Sequence, residues 1–264
     1  NACGPSLGYS PCVPILPRIG CKQFGIEARV WYASLNSSTV QWGTIPGGYL
    51  STELDLVTNL GLRRHEYVGE YIARCQFRSN WGVRYTFLPL HYRDNFTNWV
   101  PFWYGNVLWP VGQMLTQWDR NIHTWELVYS WFQAPHAVSS VFAGYRLVDD
   151  KLSVSYPLLA GAGYTRIRSE DAHLATAGIS LDKVITRLGG CATASMHCQW
   201  SIQFLESYLG WDGYAAGRVS VPMGRGRFGY MEAGWKWLVL ERSQPSNIDK
   251  TSLDGVIASA GLVF

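Results

Sequence analysis

The chain has 264 residues, of which 47% are hydrophobic, 14% aromatic and only 16% charged, with 13 tryptophans and a net charge of +3. Such a small net charge does not favour a nucleic-acid partner, and no run of about 18 apolar residues supplies a transmembrane helix. Strands are therefore the only elements with which this apolar, tryptophan-rich chain could cross a membrane.

The first stretch of the chain, residues 1–23, contains Cys3, Cys12 and Cys21 among four prolines. This pattern favours neither a helix nor a regular strand, so we predict an irregular N-terminal arm. The start lacks the pattern of a signal peptide, and we interpret Asn1 as a mature terminus left after its removal. Six cysteines in the whole chain favour an oxidising compartment, where disulfides persist.

From residue 24 onward, apolar and polar side chains alternate with the period of two that is typical of β-strands. In residues 24–33, apolar side chains occupy one face, and Glu27, Arg29 and Trp31 occupy the other. The alternation recurs in residues 67–78, 81–87, 124–131, 140–147, 214–221, 229–239 and 256–264. A soluble sandwich would also alternate, but aromatic residues toward the strand ends favour a transmembrane barrel.

The connections between these segments mostly alternate between long and short. Long connections are predicted near residues 34–66, 93–113, 149–171 and 242–252, and short ones near residues 79–80, 134–138 and 223–227. A further link is predicted around residues 184–198, and the short GWDG segment, residues 210–213, interrupts the alternation. We predict an all-β, antiparallel up-and-down barrel of about ten strands over residues 24–264, with eight or twelve strands as alternatives.

The chain resembles small Gram-negative outer-membrane β-barrel proteins over residues 24–264. The resemblance rests on RVWY in the first strand, GYMEAGWKWL near the end, and the terminal AGLVF. It implies a bacterial outer-membrane location, with membrane lipid and lipopolysaccharide as surroundings. It also implies that Phe264, after alternating apolar residues, is the signature recognised by the barrel-assembly machinery.

No combination of side chains in the sequence predicts catalysis. A nucleophilic site needs a histidine that is oriented by an acid beside a serine or cysteine, and turns, loops or a disulfide explain the candidates more simply. The candidates are His136 with Ser139 and Ser140, Asp149 with Asp150, Asp171 with His173 and Glu170, and His197 with Cys198. Because the six histidines lack metal-ligand spacing, we expect no enzyme activity, no metal and no other cofactor.

The charged residues on the inward faces are expected to fill a narrow lumen. They are Glu27, Glu70, Glu126 and Glu232, with Arg29, Arg74, Arg84, Arg146, Arg218 and Lys236. Because buried charges must be paired, we predict a closed lumen with salt bridges. The excess of cations leaves open a small, porin-like channel with a slight preference for anions.

The cysteines raise the question of partners. Cys191 and Cys198 could close a local disulfide, and Cys75 lies on the apolar face, either as a free thiol or linked to a neighbouring subunit's arm. Two functions therefore compete. One is a barrel with a structural or small-channel role. The alternative is a structural subunit that self-assembles into a homo-oligomer through its outer faces and a disulfide-forming arm.

Overall fold

The computed structural model describes residues 23–45, 49–50, 52–134, 136–156, 164–188, 192–205, 207–224, 227–244 and 247–264. Residues 1–22 of the predicted N-terminal arm, which include Cys3, Cys12 and Cys21, lie outside the described residues, as does Cys191. Within the described ranges, no helix is long and apolar enough to cross a membrane.

Ten long antiparallel strands make up most of the described chain. They are β1 (Gln23–Trp42), β2 (His65–Gln76), β3 (Trp81–Asn98), β4 (Gly112–Ala134), β5 (Ala137–Tyr156), β6 (Tyr164–Arg187), β7 (Thr193–Leu205), β8 (Tyr208–Gly224), β9 (Arg227–Gln244) and β10 (Asn247–Val263). Each strand pairs with its neighbour in the chain, and β10 pairs with β1 to close the sheet. The predicted ten-stranded up-and-down barrel is confirmed.

The two ends of the barrel differ in their connections. At the end where Gln23 and Val263 lie, here called the turn end, residues 77–80, 135–136, 188–192 and 225–226 connect the strands. At the opposite end, the loop end, the connections are residues 43–64, 99–111, 157–163, 206–207 and 245–246. The predicted alternation of long and short connections is correct for the early part of the chain. The last two connections at the loop end, residues 206–207 and 245–246, have only two residues each.

Several segments predicted as connections belong to strands instead. The GWDG segment lies inside β8, residues 149–156 and 164–171 belong to β5 and β6, and most of residues 242–252 belongs to β9 and β10. The strands are therefore 12 to 24 residues long, beyond the roughly 9–11 residues that span a hydrocarbon layer. The physical reason is that acidic residues in these segments point inward and pair with buried arginines, as described below.

The outer surface carries an apolar band near the turn end. On β5 the outward residues are apolar from Val141 to Leu147, and the next two outward residues are Asp149 and Lys151. Exposed aromatic side chains lie at both margins of the band; they include Phe24, Phe77, Trp81, Trp131 and Phe264 at one margin, and Tyr32, Tyr67, Trp125, Tyr145 and Trp211 at the other. An apolar band with two aromatic girdles is typical of transmembrane barrels.

Two glycines on neighbouring strands provide a test of the packing. A Cβ atom added at Gly234, which faces inward on β9, would lie 2.1 Å from the backbone oxygen of Ala215, whereas one at Gly217, which is exposed on β8, would meet nothing within 4 Å. We expect Gly234→Ala to destabilise the barrel by about 1–3 kcal/mol because it overpacks the wall. Gly217→Ala should be neutral or slightly stabilising. Denaturant unfolding in detergent measures both effects, and equal midpoints would contradict the close packing at Gly234.

Candidate functional site: a charge-filled lumen

The lumen contains a group of buried ion pairs between the turn end and the middle of the barrel, here called the turn-end cluster. Among the described residues, six acids and six bases take part in it. The acids are Glu27, Glu70, Glu126, Asp182, Asp212 and Glu232, and the bases are Arg29, Arg74, Arg84, Arg146, Arg218 and Lys236. Their ion pairs form three groups: one around Glu27, Glu70 and Glu232, the pair Arg84–Glu126, and the pair Arg146–Asp212.

Glu27 has three partners in this cluster. Its carboxylate accepts hydrogen bonds from Arg29 on its own strand, from Arg74 on the neighbouring β2 at 2.9 Å, and from the Tyr230 hydroxyl at 2.8 Å. The Arg29 guanidinium also lies over the Tyr214 ring, 4.1 Å from its centroid. The Tyr214 ring therefore stabilises the Arg29 guanidinium through a cation–π contact.

Glu232 is held in the same way by β7 and β8. It accepts hydrogen bonds from Arg218 and Ser259 and lies 3.2 Å from the His197 ring nitrogen, and its side chain is 0% exposed. Arg29 approaches it from β1, at 4.0 Å. Because this carboxylate has no contact with solvent, its negative charge depends on these partners.

Other contacts of the cluster cross the lumen between strands that are not neighbours. Lys236 on β9 donates to Glu70 on β2 at 2.5 Å. Arg84 on β3 donates to Glu126 on the adjacent β4 and also to Gln199 on β7, both at 2.5 Å. Side chains from opposite walls are therefore in direct contact, and they occupy the cross-section of the barrel.

The structure adds two acids that the sequence pattern did not identify. Asp212 pairs with Arg146, and Asp182 pairs with Arg218. Asp212 was missed because GWDG was interpreted as a turn. Asp182 was missed because it lies just before residues 184–198, which were interpreted as a connection. With these two acids the cluster is balanced in charge, so the excess of cations that suggested an anion preference is not present.

A second group of ion pairs, here called the loop-end cluster, lies beyond the apolar band. It contains Arg120, Arg168 and Arg242 with Asp150, Glu170 and Asp249. Arg120 donates to Asp150 at 2.8 Å, to Thr251 at 3.0 Å and to Asp249. Asp150 also accepts from the Trp118 indole at 2.7 Å.

The carboxyl groups of the loop-end cluster have perturbed pKa values. Burial works to raise the pKa of Glu170, but its contacts with Arg168, Asn247 and Arg242 lower that pKa below the ordinary value. Burial raises the pKa of Asp249, and the nearby Asp150 carboxylate adds to this effect against the lowering by Arg120. Asp150 and Asp249 thus share the same cation, Arg120.

Apolar residues close the loop end above this cluster. The segment after the short strand Leu54–Asp55 and the hairpin of Phe102–Tyr104 with Val107–Trp109 fold over the barrel, and the Thr52 amide donates to the Trp103 carbonyl at 3.1 Å. Their buried side chains, here called the apolar cap, are Leu54, Leu56, Leu60, Leu62, Phe102, Tyr104 and Trp109. The cap is continuous with the apolar core inside the loop-end half of the barrel.

A cavity in the lumen at the turn end is here called the vestibule. It measures about 180 Å³, and its lining includes Arg74, Arg84, Arg218, Ser130 and Ser140. The cavities deeper in the lumen measure about 30 Å³, within the turn-end cluster, and about 10 Å³, within the loop-end cluster. Cavities of that size hold one or a few water molecules.

The remaining sequence candidates are dispersed. His136 lies in a turn, Ser139 and Ser140 lie on β5, and Asp149, Asp171 and His173 lie on strands with their side chains outside the lumen, so the expected loops are corrected. His197 faces the lumen, whereas Cys198 faces outward and is half-buried. The described residues contain no group of histidine, cysteine or acidic side chains that could hold a metal.

The thiols and the C-terminus are on the outer wall. Cys75 is exposed, and Cys75 and Cys198 form no disulfide with each other, the two being the cysteines among the described residues. The predicted Cys191–Cys198 disulfide cannot be followed, since Cys191 lies outside the described residues. Phe264 is bonded to the first strand: its amide donates to the Phe24 carbonyl at 2.8 Å, and its carbonyl accepts from the Phe24 amide at 3.3 Å.

Comparison with protein-family models gives no match, and comparison with curated proteins gives no significant match. Among solved structures, the chain is similar to the outer-membrane protease OmpT from Escherichia coli, at 10% identity over 92% of this chain and 96% of that chain, with a TM-score of 0.46. It is also similar to Ail, the attachment invasion locus protein of Yersinia pestis, at 13% identity, 91% and 99% coverage, and a TM-score of 0.35. The transport unit of the autotransporter AIDA-I from Escherichia coli gives 8% identity, 91% and 89% coverage, and a TM-score of 0.40.

These comparisons correct one prediction and leave another open. The expectation that the chain is not an enzyme does not stand, since a protease is among the structures to which the barrel is similar. Catalytic groups are recognised by their geometry rather than by sequence spacing, so the absence of a motif did not justify that expectation. The similar structures are outer-membrane β-barrel proteins, but no match supports one particular family or the C-terminal signature.

Proposed function

We propose that the protein is a closed β-barrel of the bacterial outer membrane, with a structural role in that membrane. The observation that carries the proposal is the set of cross-lumen contacts. Lys236 reaches Glu70, Arg84 reaches Gln199, and Arg120 reaches Asp249, each from a strand that is not a neighbour of its partner's strand. Direct contact between opposite walls at two levels leaves no continuous column of water.

Charge balance supports the closed state over the small channel. A channel that prefers anions needs cations whose charge is not already neutralised. In both clusters, each cation has a carboxylate partner, and most of these side chains are buried. Opening a pore would separate several of these pairs at once, and each separation would cost several kcal/mol.

The proposal is tested with the purified chain refolded in detergent and then in liposomes. We expect heat-modifiable mobility on gels, a β-type circular dichroism spectrum, and quenching of tryptophan fluorescence by brominated lipid, since Trp125, Trp131 and Trp235 are exposed on the apolar band. Liposomes that contain the protein should swell no faster in small sugars than empty liposomes. Rapid swelling would contradict the closed barrel, and absence of quenching would contradict the membrane location.

Deletion of Phe264 is expected to affect assembly more than stability. The deletion removes two backbone hydrogen bonds to Phe24, each of which contributes only about 1 kcal/mol. If the terminal aromatic is the signal for the barrel-assembly machinery, the amount of protein in the outer membrane of expressing cells should fall severalfold. The refolded variant should still unfold within about 2 kcal/mol of the parent. Normal insertion in cells would remove the role assigned to Phe264.

Self-assembly remains a second prediction, because Cys75 is exposed on the outer face and has no disulfide partner among the described residues. If an intermolecular disulfide through Cys75 joins subunits, non-reducing gels of membranes should show a ladder that collapses with reductant and is lost in Cys75→Ser. Cys198→Ser, which removes the other cysteine among the described residues, is the matched control. A single monomer band without reductant would exclude this assembly.

A further inference from the structure

The vestibule contains buried hydrogen-bond donors that lack partners, without a matching number of free acceptors. Among the described residues, the Arg84 Nη2 and Arg74 Nε atoms are buried and unpaired, and both residues line the vestibule. Arg84 is only 8% exposed. A buried donor without a partner costs about 1–3 kcal/mol, and more when it is charged.

Both acids that line the same cavity have donors from the turn-end cluster. Glu27 accepts from Arg29, Arg74 and Tyr230, and Asp182 is paired with Arg218 at 3.3 Å. No carboxylate oxygen of the vestibule is among the buried atoms without a partner in the described residues. Each cation of the vestibule has a carboxylate partner, but the N–H donors of Arg74 and Arg84 named above are buried without a partner, and such donors bind oxyanions.

Three neighbouring strands of the vestibule wall, β4 to β6, supply hydroxyl groups. Ser130, Ser140 and Ser180 lie side by side on β4, β5 and β6 in direct register, and all three line the cavity. Ser130 and Ser140 are 3.0 Å apart at their hydroxyl oxygens, so a hydroxyl proton remains free to donate. Guanidinium groups form strong charge-assisted hydrogen bonds with phosphate-like ions, and hydroxyl groups lining the same cavity can add further donors.

The size and position of the vestibule fit such a ligand. A volume of about 180 Å³ is much larger than the roughly 10–15 Å³ that one water molecule needs. The Arg74 side chain is 31% exposed, so part of this side chain is accessible from solvent among the described residues. The vestibule also lies below the closed part of the lumen, at the end where the chain termini of the barrel meet.

We propose that the vestibule is a binding site for a small soluble oxyanion of the phosphate class, held by Arg74 and Arg84 and by the serine hydroxyls of β4–β6. The site goes beyond the structural role proposed above, because it requires only the turn-end cavity and not a closed lumen. A membrane-lipid phosphate has the same chemistry, and the experiment below separates the two sources.

The test is calorimetric titration of the folded barrel with sodium phosphate in neutral detergent, at constant ionic strength, with sodium chloride as the blank. We expect saturable binding by the parent and at least about tenfold weaker binding by Arg74→Gln, because one charge-assisted donor is removed. Arg187→Gln is the matched control, since it removes the same charge from an exposed position near the turn end. It should bind as the parent does.

A second variant separates a lost donor from a misfolded barrel. The double variant Arg84→Gln with Glu126→Gln keeps the net charge and removes both members of one pair, so it avoids a stranded buried carboxylate. It should fold, as heat-modifiable mobility would show, and bind phosphate at least about tenfold more weakly. Absence of saturable binding in the parent would overturn the proposal, and so would equal binding in the parent and in either folded vestibule variant.

The source of the oxyanion is tested in nanodiscs. For a soluble ion, phosphate should bind with the same affinity in discs of phosphatidylcholine and in discs that contain phosphatidylglycerol. Weaker binding in the phosphatidylglycerol discs would show that the lipid headgroup competes for the vestibule. That result would overturn the assignment to a soluble ion.

Discussion

Glu232→Ala is expected to destabilise the barrel by about 3–5 kcal/mol, the usual cost of removing one partner from a buried ion pair. The substitution leaves Arg218 with Asp182 as its ion-pair partner and leaves Arg29 with Glu27 and Glu70. It also gives the turn-end cluster one uncompensated positive charge among buried side chains. Denaturant unfolding of the refolded protein in detergent measures the loss as a shift of the midpoint.

The matched control for this variant is Glu241→Ala on the same strand. Glu241 pairs with Lys250 at 3.3 Å, but both side chains are more than 40% exposed. An exposed pair contributes about 0–1 kcal/mol, so its loss should hardly move the midpoint. Equal shifts for the two variants would mean that water reaches Glu232, and the description of its carboxylate as buried and paired would be wrong.

Arg120→Ala is expected to have an effect of similar size in the loop-end cluster. Arg120 is 2% exposed and bonds Asp150, Asp249 and Thr251. Without it, the ion pair that these two carboxylates keep among the described residues is that of Asp249 with Arg168, at 3.8 Å. We expect the free energy of unfolding at pH 7 to fall by about 3–5 kcal/mol, as measured by unfolding in denaturant. Arg63→Ala is the control, because the exposed ion pair of Arg63 with Asp94 contributes little.

The loss of folding stability in Arg120→Ala should become smaller as the pH falls. Removing the cation raises the folded-state pKa of Asp150 and Asp249 above their unfolded value of about 3.9. Protonation of the two carboxyl groups then stabilises the folded variant fully at pH values below this unfolded-state pKa. The stabilisation disappears as the pH rises through the raised folded-state pKa values. The difference from the parent should therefore be smaller near pH 4 than at pH 7. A difference that grows on acidification would contradict the assignment.

The wall of the barrel could be predicted from the sequence because its rule is local. In the first strand, Glu27 and Arg29 alternate with Ile26, Ala28 and Val30, and the structure places the first pair inside and the other three outside. A period of two can be recognised from residues that are neighbours in the sequence, without knowledge of long-range contacts. The closure of the sheet by β10 and β1 follows once the strands are counted.

The loop-end half could not be predicted in the same way. Asp249 looks like a loop residue because it lies among asparagine, serine and lysine, and its partner Arg120 is 129 residues away. Asp212 lies between glycines that resemble a turn, yet Gly213 is in β8, where an added Cβ would lie 2.6 Å from the Trp237 ring. In these segments, long-range pairing and close packing overrule the local turn signals.

Single-channel conductance in planar bilayers tests the central claim, a closed lumen, most directly. The refolded parent, with its insertion verified by heat-modifiable mobility, should show no steady conductance steps in 1 M potassium chloride at moderate voltage. Brief openings are expected only in variants such as Glu232→Ala that break the turn-end cluster. Large, regular steps in the parent would show a water-filled pore through both clusters and would contradict the account.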